Sequence, residues 1–203
     1  YATHARVHLG NIRDNLRAIR AAVGGERKVL IAVKANGYGH GAVEVARMAE
    51  ATRTADWLGV ATVPEGIQLR EAGLRLPILK LGPTFPWEMR AAVEAGITLA
   101  VCSGEEAEAA ADAARESGRP ASVHLKVDTG IGRVGVAPAE APEVALRIAA
   151  LPGVELGGVF THLPVSDAAD PAFTREQVSF FRALAEDVQE AAGRRLLVHC
   201  ANS

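Results

Sequence analysis

Short aliphatic and β-branched runs alternate with longer alanine-, glutamate- and arginine-rich segments along this chain, and that alternation restricts it to a parallel α/β fold. Strands are predicted over 29–33, 57–61, 77–81, 98–101, 122–127, 157–161 and 196–201. Helices are predicted between them, over 11–23, 41–51, 65–72, 87–95, 105–116, 142–150 and 174–192. The first carries Ile12, Leu16, Ile19 and Val23 on one face, the spacing of an amphipathic helix. Glycines at 73, 96 and 118 mark helix ends.

An open doubly wound sheet and a closed (β/α)8 barrel both satisfy this order. The pattern within the strands favours the barrel. His124, Lys126 and Asp128 share one face of their segment, while Val123, Leu125 and Val127 share the other. Lys34 likewise shares a face with the small Ala32, opposite Val29, Ile31 and Val33. One apolar face under helices and one mixed face pointing inward suit a barrel strand. The fold class expected is α/β, a TIM-type (β/α)8 barrel with about seven of its eight strands present. Residues 1–203 then form a partial barrel, because such a barrel typically needs about 250 residues. The remaining strand is expected beyond Ser203.

A net charge of -2 gives no broad basic surface, so no nucleic-acid partner is expected. No apolar run is long enough to span a bilayer, and nothing reads as a signal peptide. The location expected is cytoplasmic. Cys102 and Cys200 show neither metal-ligand spacing nor a disulfide framework, and no metal is expected.

Four strand ends carry chemistry. Residues 32–41, AVKANGYGHG, end a buried strand on Lys34 and continue with three glycines and Tyr38. An amine there can act as a nucleophile, and glycines let backbone approach a ligand. Residues 124–136, HLKVDTGIGRVGV, place Lys126 and Asp128 inward and bring Arg133 after a glycine-rich turn. An arginine fork suits an anionic oxygen. Lys126 near Arg133 is a like-charge conflict unless an anion lies between them, and an Asp128 ion pair with either cation is the structural alternative. Residues 160–164, FTHLP, end the sixth strand on His162, and residues 199–203, HCANS, end the seventh and carry Ser203, a hydroxyl donor where such barrels often bind phosphate. Each signal alone also has a structural reading, such as a surface lysine or a core histidine. All four fall at C-terminal strand ends, where barrel enzymes place their active sites.

Together the four segments resemble the alanine racemase family, in order and over essentially the whole chain. AVKANGYGHG is similar to the family's cofactor-lysine motif, with Gly37 where alanine is usual. HLKVDTGIGRVGV is similar to its second signature, with Ile131 where methionine is common. In FTHLP, Leu163 and Pro164 depart from the family pattern. The resemblance implies pyridoxal 5'-phosphate as cofactor, held by Lys34 as a Schiff base, with Lys34 also the base for one enantiomer. It implies Tyr38 and Ser203 at the cofactor phosphate, His162 beside the cofactor ring, and Arg133 at the phenolic oxygen and the substrate carboxylate. Lys126 is carbamylated in many members, and a carbamate would remove the conflict with Arg133. The activity implied is racemisation of L- and D-alanine for cell-wall peptidoglycan, in a homodimer whose active site is shared. The resemblance also implies a C-terminal β-domain beyond Ser203, whose tyrosine, from the partner subunit, is the second base that completes the mechanism. A racemase for serine, lysine or ornithine, a non-catalytic pyridoxal phosphate carrier and a phosphosugar enzyme with a Schiff-base lysine are the alternatives.

Overall fold

The computed structural model describes residues 3–201. It divides into two compact units, residues 1–81 and 82–203. The first contains α1 (Leu9–Val23), β1 (Leu30–Ala32), the single turn α2 (Lys34–Tyr38), α3 (Ala42–Thr52), β2 (Trp57–Val60), α4 (Val63–Glu71) and β3 (Ile78–Lys80). Strand β2 lies between β1 and β3, and both pairings are parallel. Leu16 of α1 packs on Ala49 and Ala55, with Ile12, Ile31 and Met48 around them. Small alanines let the helix approach the sheet, and the buried apolar area supplies the stabilisation. Asp56 fixes this packing from the polar side. One of its oxygens accepts from Arg20 at 2.6 Å and from the Val29 amide at 2.7 Å, tying α1 to the start of β1.

The second unit contains α5 (Pro86–Glu94), β4 (Thr98–Val101), α6 (Gly104–Ser117), β5 (Ala121–Lys126), a 3-10 turn (Pro138–Glu140), α7 (Ala141–Ala150), β6 (Val154–Phe160), α8 (Ala172–Ala192) and β7 (Leu197–His199). Strands β4 to β7 are parallel in sequence order. Ser103 starts α6 by accepting from the Glu106 amide. The inner stripe of α6 is Ala107, Ala110, Ala113 and Ala114, all buried. Phe181, Leu184, Ala185 and Val188 bury the corresponding face of α8.

The strand–helix alternation expected from sequence is therefore present in both units. The largest difference lies in β6, which begins at Val154 rather than at 157. Its register against β5 slips between Val123 and His124, so Val123 faces Leu156 but His124 faces Gly158, leaving Gly157 as an extra residue. Such a bulge breaks the two-residue alternation, and two consecutive glycines hide the strand signal. Helix α4 also begins earlier than expected, because Thr62 caps it and Pro64 occupies its first turn. No helix among the described residues is long and apolar enough to cross a membrane.

Candidate active site

In the first unit, β1 delivers Lys34 into a turn of unusual backbone. Ala35, Asn36, Gly37 and Tyr38 all have φ between 51° and 63°. Consecutive left-handed residues cost energy when they carry a Cβ, so the surroundings must hold them there. Two side chains do so. Glu65 closes a capping box at the start of α4, where Oε2 accepts from the Ala61 and Thr62 amides. Its other oxygen accepts from the Ala35 amide at 2.7 Å. Asn36 Oδ1 accepts from the Ala42 amide at 3.0 Å. The glycine-rich loop expected from sequence is thus a clamped left-handed turn. It carries Lys34 half-buried and Tyr38 exposed, with the Lys34 Nζ 5.8 Å from the Tyr38 ring centroid. The Lys34 Nζ makes no ion pair or hydrogen bond among the described residues.

In the second unit, register explains how the inward face is built. Residues paired across parallel strands face the same side, and Lys126, Phe160 and His199 lie in one row. The Lys126 Nζ sits 5.4 Å from the Phe160 centroid, and Phe160 stacks on His199 at 4.7 Å with ring planes 5° apart. His124 lies one level below, and its Nδ1 is 3.1 Å from Nε2 of His199. The room for it comes from Gly158, where a Cβ would stand 2.7 Å from the His124 ring. Burial, with the adjoining His199 adding to it, pushes His124 down to about 3; burial pushes His199 down to about 4. Both imidazoles are therefore neutral near pH 7.

Asp128 resolves the alternatives left open for its loop. It forms neither of the ion pairs considered from sequence. One oxygen accepts from the amides of Gly130, Ile131 and Gly132, and the other from the Arg133 amide at 2.7 Å. Burial alone would raise this carboxyl; the four amides outweigh that and hold it below the usual range. The loop returns through Gly135, whose ideal Cβ would stand 2.5 Å from the Asp128 amide nitrogen. Arg133 is exposed, and its guanidinium has no ion pair among the described residues. Lys126 is buried, whereas His162 is half-buried just after β6. Ser203 lies outside the described residues.

In the first unit, an amine without an ion pair and an exposed phenol on the same turn suit an aldehyde ligand bearing an anionic group; in the second, an exposed guanidinium on a pinned loop suits an anionic oxygen. No group of three or more His, Cys, Asp or Glu among the described residues could hold a metal. Cys102 and Cys200 form no disulfide with each other and are half-buried. Sequence reasoning missed Glu65, although the Thr62–Glu65 spacing is a capping-box signature. It also missed the contact between His124 and His199, which no sequence spacing announces.

Residues 7–203 match the family model described as alanine racemase, N-terminal domain. The chain belongs to this family. It is 48% identical to the alanine racemase of Cutibacterium acnes over 99% of its length, covering 54% of that protein. It is 43% identical to the alanine racemase of Symbiobacterium thermophilum, covering 99% of this chain and 53% of that protein. Among solved structures, the alanine racemase of Clostridium difficile superposes with a TM-score of 0.91 at 35% identity, over 97% of this chain and 54% of that one. The chain thus spans about half the length of the curated relatives it matches. Its fold is the TIM-type α/β barrel of the alanine racemase N-terminal domain, and its relatives are isomerases.

Proposed function

We propose that the protein carrying this chain is a pyridoxal 5'-phosphate-dependent racemase interconverting L- and D-alanine. The observation that carries this reading is Lys34, presented at the end of β1 by a left-handed turn that Glu65 and Asn36 clamp. Lys34 holds the cofactor covalently through Nζ. Tyr38, with Ser203, donates to the cofactor phosphate. Arg133 faces the phenolic oxygen and the substrate carboxylate, and His162 lies beside the ring. When bound, pyridoxal phosphate withdraws electrons from the substrate α-carbon, so that its proton can leave.

Racemisation needs a proton removed on one face of that carbon and returned on the other, hence two bases. Lys34 Nζ serves one face. A tyrosine of a partner subunit's C-terminal region serves the other, which makes the active enzyme a homodimer. Lys126 carries a carbamate in this reading. The modification turns a buried cation into an anion able to pair with Arg133. D-alanine for peptidoglycan is the product used, and the enzyme works in the cytoplasm.

The test is borohydride reduction of the full-length protein after incubation with pyridoxal phosphate, followed by peptide mapping. The expected result is a stable pyridoxyl adduct on Lys34, and alanine racemase activity that disappears in Lys34→Ala. An adduct elsewhere, or a Lys34→Ala variant with normal turnover, overturns the reading.

A further inference from the structure

Gln177 is a polar side chain buried within α8, only 4% exposed. It makes two directed contacts. Its Nε2 donates to the Thr129 hydroxyl at 2.8 Å and to the His162 carbonyl at 3.1 Å. A carbonyl oxygen can only accept, so the amide nitrogen must face His162 and the orientation of Gln177 is fixed. Both Nε2 protons are then engaged. Thr129 Oγ1 receives one of them and also shares a hydrogen bond with Thr161 Oγ1, 2.7 Å away, in which either hydroxyl can donate. A connected network results, linking Gln177, Thr129 and Thr161, with a branch from Gln177 to the His162 carbonyl.

The two loops tied in this way carry chemistry. Thr129 follows Asp128, the carboxylate that gathers the amides of residues 130–133 and so sets the position of Arg133. His162 follows β6. Burying an amide costs free energy unless its partners are fixed, and the Oε1 of Gln177 has no partner among the described residues. A methionine or leucine would fill the same space without that cost. The glutamine is therefore explained by what its two protons hold.

We propose that Gln177 is a positioning residue. It clamps the loop bearing Arg133 to the segment bearing His162, and so holds in register two groups assigned to the cofactor. The functional half of this inference rests on the proposed cofactor roles of Arg133 and His162; the clamp itself does not.

Amide hydrogen exchange in the full-length protein tests it, with wild type, Gln177→Met, Thr129→Val and the double variant compared in the presence and absence of pyridoxal phosphate. The amides of Gly130, Ile131, Gly132 and Arg133 are bonded to Asp128, so their exchange reports opening of the loop. Exchange at these four is expected to rise about tenfold in Gln177→Met, the effect of losing one to two neutral hydrogen bonds. Amides of β5 and α7 should be unchanged. Thr129→Val should reproduce the loop effect, and the double variant should add less than the sum. Pyridoxal phosphate affinity should fall in parallel, with a larger change in KM than in kcat.

Unchanged exchange at 130–133 in either single variant overturns the clamp. So does acceleration spread evenly over the second unit, which would make Gln177 a core residue only. Thr129→Val alters a half-buried loop position and keeps the test in hand if Gln177→Met fails to fold. Faster loop exchange with unaltered cofactor affinity overturns the functional half alone. A wild-type protein that takes up no pyridoxal phosphate defeats the cofactor reading, whereas the exchange measurement still decides the clamp.

Discussion

His124 and His199 meet nitrogen to nitrogen, Nδ1 to Nε2 at 3.1 Å, with ring planes tilted by 59°. The contact needs one N–H and one lone pair, so protonating both rings would set two N–H groups against each other. Burial depresses both groups, to about 3 and about 4, against about 6.5 in an unfolded chain. The unfolded state therefore binds protons first as pH falls. Stability from the pair is fully present above about pH 6.5 and declines as pH drops towards about 4. Each imidazole contributes a slope of about 1.4 kcal/mol per pH unit within that window. Urea unfolding at pH 7 and pH 5 should show this loss, and His124→Phe should lower the slope. An identical slope in that variant would refute the assignment.

Gly158 and His124 are bound by the same geometry. A Cβ at 158 would stand 2.7 Å from Cε1 and Nδ1 of His124, ring atoms held in the core. Gly158→Ala should displace the imidazole, break its contact with His199 and cost about 1–3 kcal/mol through overpacking. Thermal unfolding measures the loss, and histidine NMR shifts report the broken contact. Gly157→Ala, whose Cβ meets His124 at an ordinary 3.5 Å, should be milder.

Glu65 links helix capping to the turn that presents Lys34. Glu65→Ala leaves the Ala35, Ala61 and Thr62 amides without this acceptor. A loss of about 1–3 kcal/mol is expected. Because the left-handed turn loses one of its restraints, pyridoxal phosphate uptake should slow and weaken more than global stability predicts. Uptake measured by visible absorbance, set against the unfolding midpoint, separates the two. Glu65→Gln keeps acceptor oxygen and should lie between.

Asp128 sets the position of Arg133 through four amides. Its carboxyl is held low, so this contribution is present above the ordinary aspartate range and is lost as pH falls through the depressed value. Asp128→Asn keeps the volume but removes one acceptor oxygen and the charge. The expected outcome is a raised KM for alanine and weaker cofactor binding, with the fold retained by circular dichroism. Kinetics identical to wild type would show that the loop does not depend on this carboxylate.

Much of the fold was legible because parallel α/β order is written in the period of the apolar residues. The face shared by His124 and Lys126 on β5 was legible for the same reason, since they lie two residues apart; Asp128, expected on that face, lies past the strand end and bonds its own loop. The start of β6 was not, because the bulge at Gly157 shifts the period and glycines carry no hydrophobic signal. The 34–38 turn was read only as a glycine-containing segment that lets backbone approach a ligand, since no local rule predicts consecutive left-handed residues where Ala35 and Asn36 stand. Glu65 enforces that turn from 30 residues away in the chain.

By itself the sequence determined the alternation of strands and helices, the face that His124 and Lys126 share on β5, and the family to which the chain belongs. These follow from local periodicity and from long motifs. Tertiary structure alone decided what Asp128 bonds, which ring His124 meets, and which two loops Gln177 joins. Those are contacts between residues up to 75 positions apart, fixed by strand register and by the space a glycine leaves open. Hydrogen bonds are short-ranged and directional, so a partner exists only once the fold has brought it to within about 3 Å.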